Sequence, residues 1–329
     1  MLKKVLLTLL MTTFFIVEFS GCIEKESSNC VEIMGKNLGF KLIGDAVYAA
    51  SDGDTILVKS GVYHEKIRVN KSITLLGEDQ DTTIVDGGGE GVVIYVTADY
   101  VNITGFTVTN SGNLTSQAGI RVDSDHNTIV GNNVVGNNGN GIYLYGAHCN
   151  NISNNNISGN RMRGVFVYSS SDNTVSHNRV TENEQGIYGS YATNNTFSFN
   201  TISYNKLHGV YLTTLSDGNV LNDNVFTYNN YGAWVRGSKY NIVFSNFFAN
   251  NEKGLYFCCG GKNNIIYGNI FMNNVEWNAR GYPVNQWDNG SVGNYWDDYN
   301  GTDMDDDGVG DTPYVIQNSN QDRFPLMKP

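Results

Sequence analysis

A repeat of 22 to 24 residues runs seven times between Gly119 and Asn274, and this period constrains the fold more than any other feature of the chain. Every copy begins with a glycine: Gly119, Gly141, Gly164, Gly186, Gly209, Gly232 and Gly254. Asparagine recurs at three further points, in a first column (Asn127, Asn150, Asn173, Asn195, Asn219, Asn241, Asn264), a second column (Asn132, Asn155, Asn178, Asn200, Asn224, Asn246, Asn269) and a third column (Asn137, Asn160, Asn183, Asn205, Asn229, Asn251, Asn274). A period of this length is the signature of a solenoid in which each copy forms one coil.

The asparagine columns have a chemical reason in such a solenoid. Asparagine tolerates left-handed backbone at a turn, and its side-chain amide both donates and accepts hydrogen bonds. In stacked coils, each amide lies next to the equivalent amide of the following coil. We therefore expect each column to form a hydrogen-bonded ladder.

The strand after each glycine alternates between two faces. Alternate residues are expected to point inward as aliphatic stacks, namely Ile142/Leu144, Val165/Val167, Val210/Leu212, Ala233/Val235 and Leu255/Phe257. The residues between them then point outward, and this column is Arg121 followed by Tyr143, Phe166, Tyr188, Tyr211, Trp234 and Tyr256. At about 4.8 Å between strands, six rings predict a flat aromatic stripe roughly 24 Å long.

Charge and composition limit the partners and the class of protein. The formal net charge is -11 over 329 residues, and such a surface repels nucleic-acid phosphates and anionic lipid headgroups. With 37 glycines and 4 prolines, the chain favours strands joined by tight turns. Because a solenoid grows by adding coils, the length fits one elongated body.

The first 21 residues are typical of a secretory signal peptide. Two lysines precede an apolar run over residues 5–17, and a serine and a glycine stand directly before Cys22. We predict that Cys22 becomes a lipidated N-terminus and that residues 22–35 form a tether. The alternative is an uncleaved N-terminal membrane anchor. Both interpretations place the protein outside the cytoplasm, either anchored to a membrane or secreted.

One capping helix and six irregular strands are predicted between the tether and the regular repeats. Apolar residues at helical spacing predict a short amphipathic helix within Leu38–Ala50, which is expected to cover the open end of the solenoid. The strands predicted after it are Thr55–Lys59, Ile67–Val69, Ile73–Leu76, Thr83–Val85, Val92–Val96 and Val101–Val108.

Short motifs in this region and near the C-terminus carry a family resemblance. Asp45-Ala46-Val47, Gly53-Asp54-Thr55-Ile56, Gly61-Val62-Tyr63, Val85-Asp86-Gly87 and Gly105-Phe106-Thr107-Val108 are similar, in that order, to right-handed parallel β-helix proteins of the pectin-lyase-like superfamily. The asparagine-rich coils and Gly293-Asn294-Tyr295-Trp296-Asp297-Asp298-Tyr299 resemble its NosD-type branch. The resemblance implies an all-β, right-handed parallel β-helix of about ten coils over residues 36–284, closed by a C-terminal cap over residues 285–329.

Two kinds of function are implied by the same resemblance. The NosD-type branch takes its name from a periplasmic copper-binding accessory protein. The chain also looks like the carbohydrate-binding and sugar-hydrolase repeat class. Since one fold supports many functions, the site residues have to decide between them.

An acidic loop near the C-terminus is the candidate metal site. Residues 303–311 place carboxylates at positions 1, 3, 5 and 9 and glycine at position 6, as in the first part of an EF-hand loop. The expected calcium ligands are Asp303, Asp305, Asp307, the Val309 carbonyl and Asp311. Tyr314 stands where an EF-hand has glutamate, so other groups such as Asp297 or Asp298 are expected to complete the shell. The alternative is a solvated acidic turn without metal.

The aromatic stripe has two interpretations. Sugar rings stack on aromatic faces while their hydroxyls stay in water, so the stripe fits an extended polysaccharide. Alternatively, the rings stabilise one another across the strands without any ligand.

Candidate residues for catalysis and for copper are sparse. Polysaccharide cleavage needs paired carboxylates or a metal with a base, and the outward columns offer only Arg121, Asp123 and Arg236. We therefore predict no catalytic residue, and copper is not expected because His126 and His148 lack a third ligand column. The predicted function is non-catalytic binding of polysaccharide or cell-envelope glycan at the cell surface. The alternatives are a polysaccharide lyase or glycoside hydrolase, and a copper-binding accessory protein.

Overall fold

Short strands of alternating apolar and polar residues, separated by tight turns, make up almost every coil of the chain. A computed structural model describes residues 30–282 and 284–329. In chain order the elements are β1 (Val31–Ile33), β2 (Leu38–Phe40), α1 (Ile43–Ala49), β3 (Thr55–Val58), β4 (Gly61–Tyr63), β5 (Ile67–Val69), β6 (Thr74–Gly77), β7 (Thr83–Asp86), β8 (Ile94–Val96), β9 (Asn102–Thr104), β10 (Thr107–Thr109), β11 (Ala118–Val122), β12 (Thr128–Val130), β13 (Asn133–Val135), β14 (Asn140–Tyr145), β15 (Asn151–Ser153), β16 (Asn156–Ser158), β17 (Arg163–Tyr168), β18 (Thr174–Ser176), β19 (Arg179–Thr181), β20 (Gln185–Ser190), β21 (Thr196–Ser198), β22 (Thr201–Ser203), β23 (His208–Thr213), β24 (Val220–Asn222), β25 (Val225–Thr227), β26 (Tyr231–Arg236), β27 (Ile242–Phe244), β28 (Phe247–Ala249), β29 (Lys253–Cys258), β30 (Ile265–Tyr267), β31 (Ile270–Met272), β32 (Trp277–Gly281), β33 (Tyr295–Trp296), β34 (Tyr314–Gln317) and β35 (Asn320–Asp322).

These strands form the predicted parallel β-helix of about ten turns. Each coil adds one strand to each of three sheets in turn. The 12-stranded sheet contains β1, β2 and every third strand from β3 to β30; the 11-stranded sheet runs from β4 to β31 and ends with β33; the 10-stranded sheet runs from β5 to β32. The solenoid predicted from the repeat and the parallel β-helix implied by the family resemblance are therefore confirmed.

The core consists of the inward aliphatic stacks that the alternation predicts. Val165, for example, pairs with Ile142 on one side and Ile187 on the other, and all three are fully buried. The eight other residues named in those stacks are also fully buried. Burying a side chain of this size stabilises the folded state by about 1.5–3 kcal/mol, so the stacks supply the main apolar driving force.

The three asparagine columns form the expected ladders. In the second column, the backbone N–H of Asn178 and its Nδ2 both donate to Oδ1 of Asn200, at 2.9 Å and 3.1 Å. Asn200 repeats both bonds to Asn224, at 3.0 Å each, and its Nδ2 also donates to the Val175 carbonyl at 2.8 Å. These side chains are buried, so each ladder satisfies turn backbone that water cannot reach.

One detail of the ladder prediction is wrong. The column asparagines do not take the left-handed backbone themselves, because that conformation belongs to the residue directly before each of them. Even bulky residues accept it, as at Phe199 (φ 55°) and Tyr228 (φ 57°). The left-handed residue makes the turn, and the asparagine that follows it directs its amide along the solenoid axis. The hydrogen bonds of the ladder offset the strain of the left-handed backbone.

The repeated glycine has a steric reason. A Cβ atom on Gly209 would lie 2.4 Å from the carbonyl oxygen of Gly232 and 3.1 Å from Nδ2 of Asn229. The backbones of neighbouring coils and the third ladder therefore meet at this point, and only glycine fits.

The N-terminal boundaries differ from the prediction. Residues Leu38–Phe40 form β2 rather than the start of the helix, and α1 covers Ile43–Ala49 only. Strand β1 lies within the predicted tether and pairs antiparallel with β2 and β3. The helix still packs on the first strands as expected, and Glu65 accepts hydrogen bonds from its first backbone N–H groups.

Two strand predictions in the irregular coils also need correction. The single strand predicted over Val101–Val108 is two strands, β9 and β10, separated by a corner at Gly105 and the buried Phe106. Strand β4 was not predicted as a strand, although it pairs with β7.

The solenoid order continues into the predicted C-terminal cap. Asn285 and Asn294 extend the first and second ladders beyond Asn264 and Asn269. The ladders then end on Asn320 and Asp322, which also accept hydrogen bonds from the buried Trp287 and Trp296 indoles at 2.9 Å each. The boundary at residue 284 is therefore too early, and the hairpin β34–β35 closes the end.

The ladder account predicts a large cost for one truncation. Asn200→Ala removes four side-chain hydrogen bonds and leaves the buried N–H of Asn178 without its acceptor, so we expect a loss of about 3 kcal/mol in the free energy of unfolding. Urea unfolding measures it. Thr201→Ala, the adjacent exposed position, serves as control and should change stability by less than about 0.5 kcal/mol. Equal effects of the two variants would contradict the ladder's role.

Candidate functional site

The outer face of the 10-stranded sheet carries the aromatic column that the repeat predicts. Strand pairing brings Arg121, Tyr143, Phe166, Tyr188, Tyr211, Trp234 and Tyr256 into one register. Successive ring centroids lie 4.6 Å, 5.2 Å, 5.2 Å, 5.1 Å and 5.4 Å apart from Tyr143 to Tyr256. The predicted alignment of the column is confirmed.

The rings are less exposed than a bare stripe would be. Tyr143, Phe166 and Tyr211 are only 5%, 8% and 9% exposed, whereas Tyr188, Trp234 and Tyr256 are half-buried. The rings lie outside the aliphatic core, and they cover one another and are covered by flanking side chains. Accessible aromatic surface is therefore concentrated toward the C-terminal half of the column.

Two further columns flank the aromatic one. The column three residues upstream, here called the polar row, contains Arg163, Gln185, His208, Tyr231, Lys253 and Trp277. On the other side, Tyr145 stacks on Tyr168 with centroids 5.7 Å apart. The alternation after each repeated glycine does not reveal the polar row, because the residues of the row stand before that glycine. They nevertheless recur with the same period as the aromatic column.

Charge on this face is the reverse of the charge on the whole chain. None of the ten strands of the sheet contains an aspartate or a glutamate, whereas together they contain Arg68, Arg121, Arg163, Arg236, Lys253 and Arg280. The cations lie over the rings: Arg163 is 4.4 Å from the Phe166 centroid and 4.5 Å from that of Tyr188, and Lys253 is 4.8 Å from that of Tyr231. The face is thus aromatic and cationic on a protein of net charge -11.

Two carboxylates beside this face, Asp123 and Glu276, form ion pairs with its cations Arg121 and Lys253. Asp123 follows β11 directly and accepts hydrogen bonds from Arg121 Nε and Nη2 at 2.7 Å and 2.8 Å. The Tyr95 hydroxyl also donates to it at 2.7 Å, and burial together with this hydrogen bond raises the pKa of Tyr95. Arg236, the other candidate, lies near the Tyr211 hydroxyl at 3.5 Å. Glu182 and Glu184 are exposed turn residues.

His208 is the buried titratable group of the face. Its ring is 8% exposed and stacks on Tyr211 with centroids 4.6 Å apart, and Trp234 lies edge-on at 5.3 Å. Burial lowers the pKa of His208 to about 4. The imidazole is therefore neutral near pH 7.

The acidic loop brings three of its predicted ligands together. Carboxylate oxygens of Asp303, Asp305 and Asp307 lie within 4.8 Å of one another. Repulsion from Asp307 is the largest cause that raises the pKa of Asp305. Asp311 instead accepts a hydrogen bond from Met304 N at 2.9 Å, and Val309 donates its N–H to Asp307. Hard oxygen donors converging in this way suit calcium.

Asp297 and Asp298 have structural partners of their own. Asn278 Nδ2 donates to both, at 2.8 Å and 3.0 Å, and the Tyr314 hydroxyl donates to Asp298 at 3.0 Å. The two carboxylates thus tie the last coil to the C-terminal cap.

The histidines considered for copper have other neighbours. His126 stacks on Tyr100 with centroids 5.1 Å apart, and Nδ1 of His148 lies 2.8 Å from the Ser171 hydroxyl. Within residues 30–282 and 284–329, the only group of three or more metal-binding side chains is the aspartate group of the acidic loop. Cys258 and Cys259 are free thiols with sulfur atoms 2.8 Å apart.

The predicted signal peptide and Cys22 lie outside the described residues. Among the residues that the structure describes, no helix has the length and apolar character needed to cross a membrane.

Comparison with known proteins identifies the central coils. Residues 90–248, just under half of the chain, match the family model described as right handed beta helix region. No curated protein matches the chain significantly.

Solved structures share the fold at low identity. The Azotobacter vinelandii mannuronan C-5 epimerase AlgE4 A-module is similar with TM-score 0.57 and 16% identity, covering 74% of this chain and 88% of that one. Pectate lyase Pel9A has TM-score 0.55 and 18% identity, with coverage of 75% and 74%. The Dettilon tailspike protein has TM-score 0.54 and 15% identity over 71% of this chain, which spans 60% of that protein's length. These likenesses show the fold.

His208 predicts a specific pH dependence of stability. Between pH 6.5 and about 4, His208 is protonated in the unfolded chain but neutral in the folded one. Its contribution to the free energy of unfolding is therefore complete above pH 6.5 and is lost as the pH falls toward 4. We expect wild type to lose about 3 kcal/mol more unfolding free energy over this range than His208→Phe, in urea titrations. Thr201→Ala, at an exposed position without a titratable group, should keep the wild-type pH dependence. Parallel curves for His208→Phe and wild type would contradict the assignment.

Proposed function

We propose that the protein is a non-catalytic β-helix that binds polysaccharide or cell-envelope glycan along the outer face of its 10-stranded sheet. The observation that carries the proposal is the continuous aromatic column, with its rings 4.6–5.4 Å apart over six coils. Sugar rings stack on such surfaces and keep their hydroxyls toward polar neighbours. A linear glycan is long enough to contact several rings of this column at once.

The half-buried members of the column are the proposed stacking platforms. Tyr188, Trp234 and Tyr256 keep exposed ring surface, whereas Tyr143, Phe166 and Tyr211 are more deeply buried. Phe166 and Tyr211 pack against the exposed rings from neighbouring coils. Tyr231 and Trp277 broaden the surface at the C-terminal end, where the Tyr231 centroid lies 5.1 Å from that of Trp234.

A non-catalytic role agrees with the charge distribution on this face. Retaining glycosidases use two carboxyl groups about 5 Å apart, and inverting ones use a wider pair. The strands of the face contain no carboxylate, and Asp123 beside them is held by Arg121 and Tyr95. The similar pectate lyase and epimerase structures are polysaccharide enzymes by name, and they support glycan as the class of ligand.

The proposed setting is the cell surface. Cys22 is the proposed lipid attachment point, following a cleaved signal peptide of 21 residues. A lipid anchor there leaves the glycan-binding face free to meet polymers of the cell envelope.

The proposed face predicts the effect of ring removal. Trp234→Ala and Tyr256→Ala should each weaken binding on a polysaccharide array about ten-fold, because each removes a stacking surface. The control is Tyr204→Ala with Tyr228→Ala, an exposed stacked pair outside this sheet with centroids 4.8 Å apart. Equal retention by the face and control variants would show that the column is structural. Release of reducing ends or unsaturated products by wild type would instead favour an enzyme.

Calcium is the proposed ligand of the acidic loop. Binding at 100 times the dissociation constant stabilises a folded protein by about 2.7 kcal/mol, so calcium should raise the melting temperature. Asp305→Asn should abolish this shift because Asp305 belongs to the converging group. Asp306→Asn makes the same charge change in the same loop outside that group, and it should keep the shift. A melting temperature that does not respond to calcium or EDTA would identify the loop as a solvated turn.

A further inference from the structure

Unused hydrogen-bonding capacity is concentrated along the polar row. Among the described residues, eight buried side-chain atoms have no hydrogen-bond partner. Four of them belong to the polar row: Arg163 Nε, Gln185 Oε1, His208 Nδ1 and Trp277 Nε1. Buried polar groups are normally paired because an unpaired one costs free energy. These four atoms lie in one row and have no partner among the described residues, so ordered water or a bound ligand is needed to pair them.

Arg163 adds to this row a positive charge that has no carboxylate of the described residues within 4 Å, although the more distant Glu184 interacts with it. Its guanidinium lies between the Phe166 and Tyr188 rings, and its closest polar partner is Asn140 Oδ1, 3.5 Å from Nη1. Within the described residues it forms no ion pair, whereas Arg121 and Lys253 on the same face each have a carboxylate partner within 4 Å. A desolvated cation of this kind is stabilised by an incoming anion, especially one that can accept two hydrogen bonds from the guanidinium.

Three members of the polar row contact rings of the aromatic column. Arg163 contacts Phe166 and Tyr188, His208 contacts Tyr211, and the Trp277 centroid lies 5.8 Å from that of Tyr256. A sugar stacked on the aromatic column would therefore direct ring substituents on one side toward the row.

We propose that the polar row determines specificity on the glycan-binding face, and that it selects an acidic polysaccharide whose anionic group binds Arg163. The inference rests on the proposed function and adds the class of ligand and the residues that select it. The Arg163 guanidinium binds the carboxylate or sulfate group of the polysaccharide. Gln185 accepts from a sugar hydroxyl and the Trp277 indole donates to one after these side chains, whose polar atoms are buried in the free chain, turn outward. Neutral glycans lack the partner for Arg163 and bind more weakly.

The test compares polymers with one backbone and different charge. The full chain is titrated by calorimetry with hydroxyethyl cellulose, carboxymethyl cellulose and cellulose sulfate. Wild type should bind at least one acidic polymer about ten-fold more tightly than the neutral one, and added salt should weaken only acidic binding. The two acidic polymers distinguish carboxylate from sulfate as the recognised group.

Arg163→Met should remove this preference and flatten the salt dependence, so that its affinities for the acidic polymers fall to that for hydroxyethyl cellulose. Arg179→Met makes the same charge change at an exposed position on the 11-stranded sheet, and it should behave as wild type. If Arg163→Met does not fold, Arg163→Lys keeps the charge without the guanidinium fork and should lose at least three-fold in acidic affinity. Gln185→Leu should weaken binding of all polymers a few-fold.

Two results overturn the inference. One is equal affinity of wild type for the neutral and acidic polymers, or no binding of either acidic polymer. The other is undiminished acidic binding by folded Arg163 variants. Either result leaves the proposed function standing if the polysaccharide array still shows binding that depends on Trp234 and Tyr256.

Discussion

Hydrogen bonding between asparagines of successive coils is the interaction on which the rest of the structure depends. A β-helix turns its backbone three times per coil, and each turn leaves N–H and C=O groups that water cannot reach. In this chain the asparagine of one coil receives the N–H and the side-chain amide of the preceding coil, and it passes the same pair of bonds to the next. Because the bonding pattern is identical at every rung, it also fixes the register of the coils.

That register converts a sequence period into a functional surface. Inward residues become aliphatic stacks, and outward residues at matching positions become straight columns on the 10-stranded sheet. A shift of one residue would send the rings of Tyr188 and Trp234 inward and their aliphatic neighbours outward. The ladders prevent this shift, so the spacing between rings and cations on the face is set by the coil spacing of the solenoid.

Much of this architecture follows from the sequence because it is repeated. The ladders, the aliphatic stacks and the aromatic column each appear as a residue type at a fixed period, and strand pairing confirms them. The non-repeating ends were harder to predict. β2 consists of apolar residues next to a helical pattern, and its pairing with β1 decides its conformation. Ring burial also escaped prediction, since it depends on flanking columns rather than on the alternation within one strand.

The candidate site, too, is only partly predictable from the sequence. Alternation predicts which residues share a face, but the lack of an ion pair between Arg163 and the other described residues depends on the three-dimensional neighbours of one side chain. The polar row mixes arginine, glutamine, histidine, tyrosine, lysine and tryptophan, so it has a period but no common residue type. Its members share a position, and four of the six have a buried polar atom without a partner among the described residues; both properties become visible only when the coils are stacked.

The most direct test of the account is a crystal structure of the full chain bound to a short acidic oligosaccharide. We expect the sugar rings to lie along the solenoid axis over Tyr188, Trp234 and Tyr256, with an anionic substituent within hydrogen-bond distance of Arg163. An oligosaccharide bound to another sheet, or one that crosses the strands without touching these rings, would contradict the account.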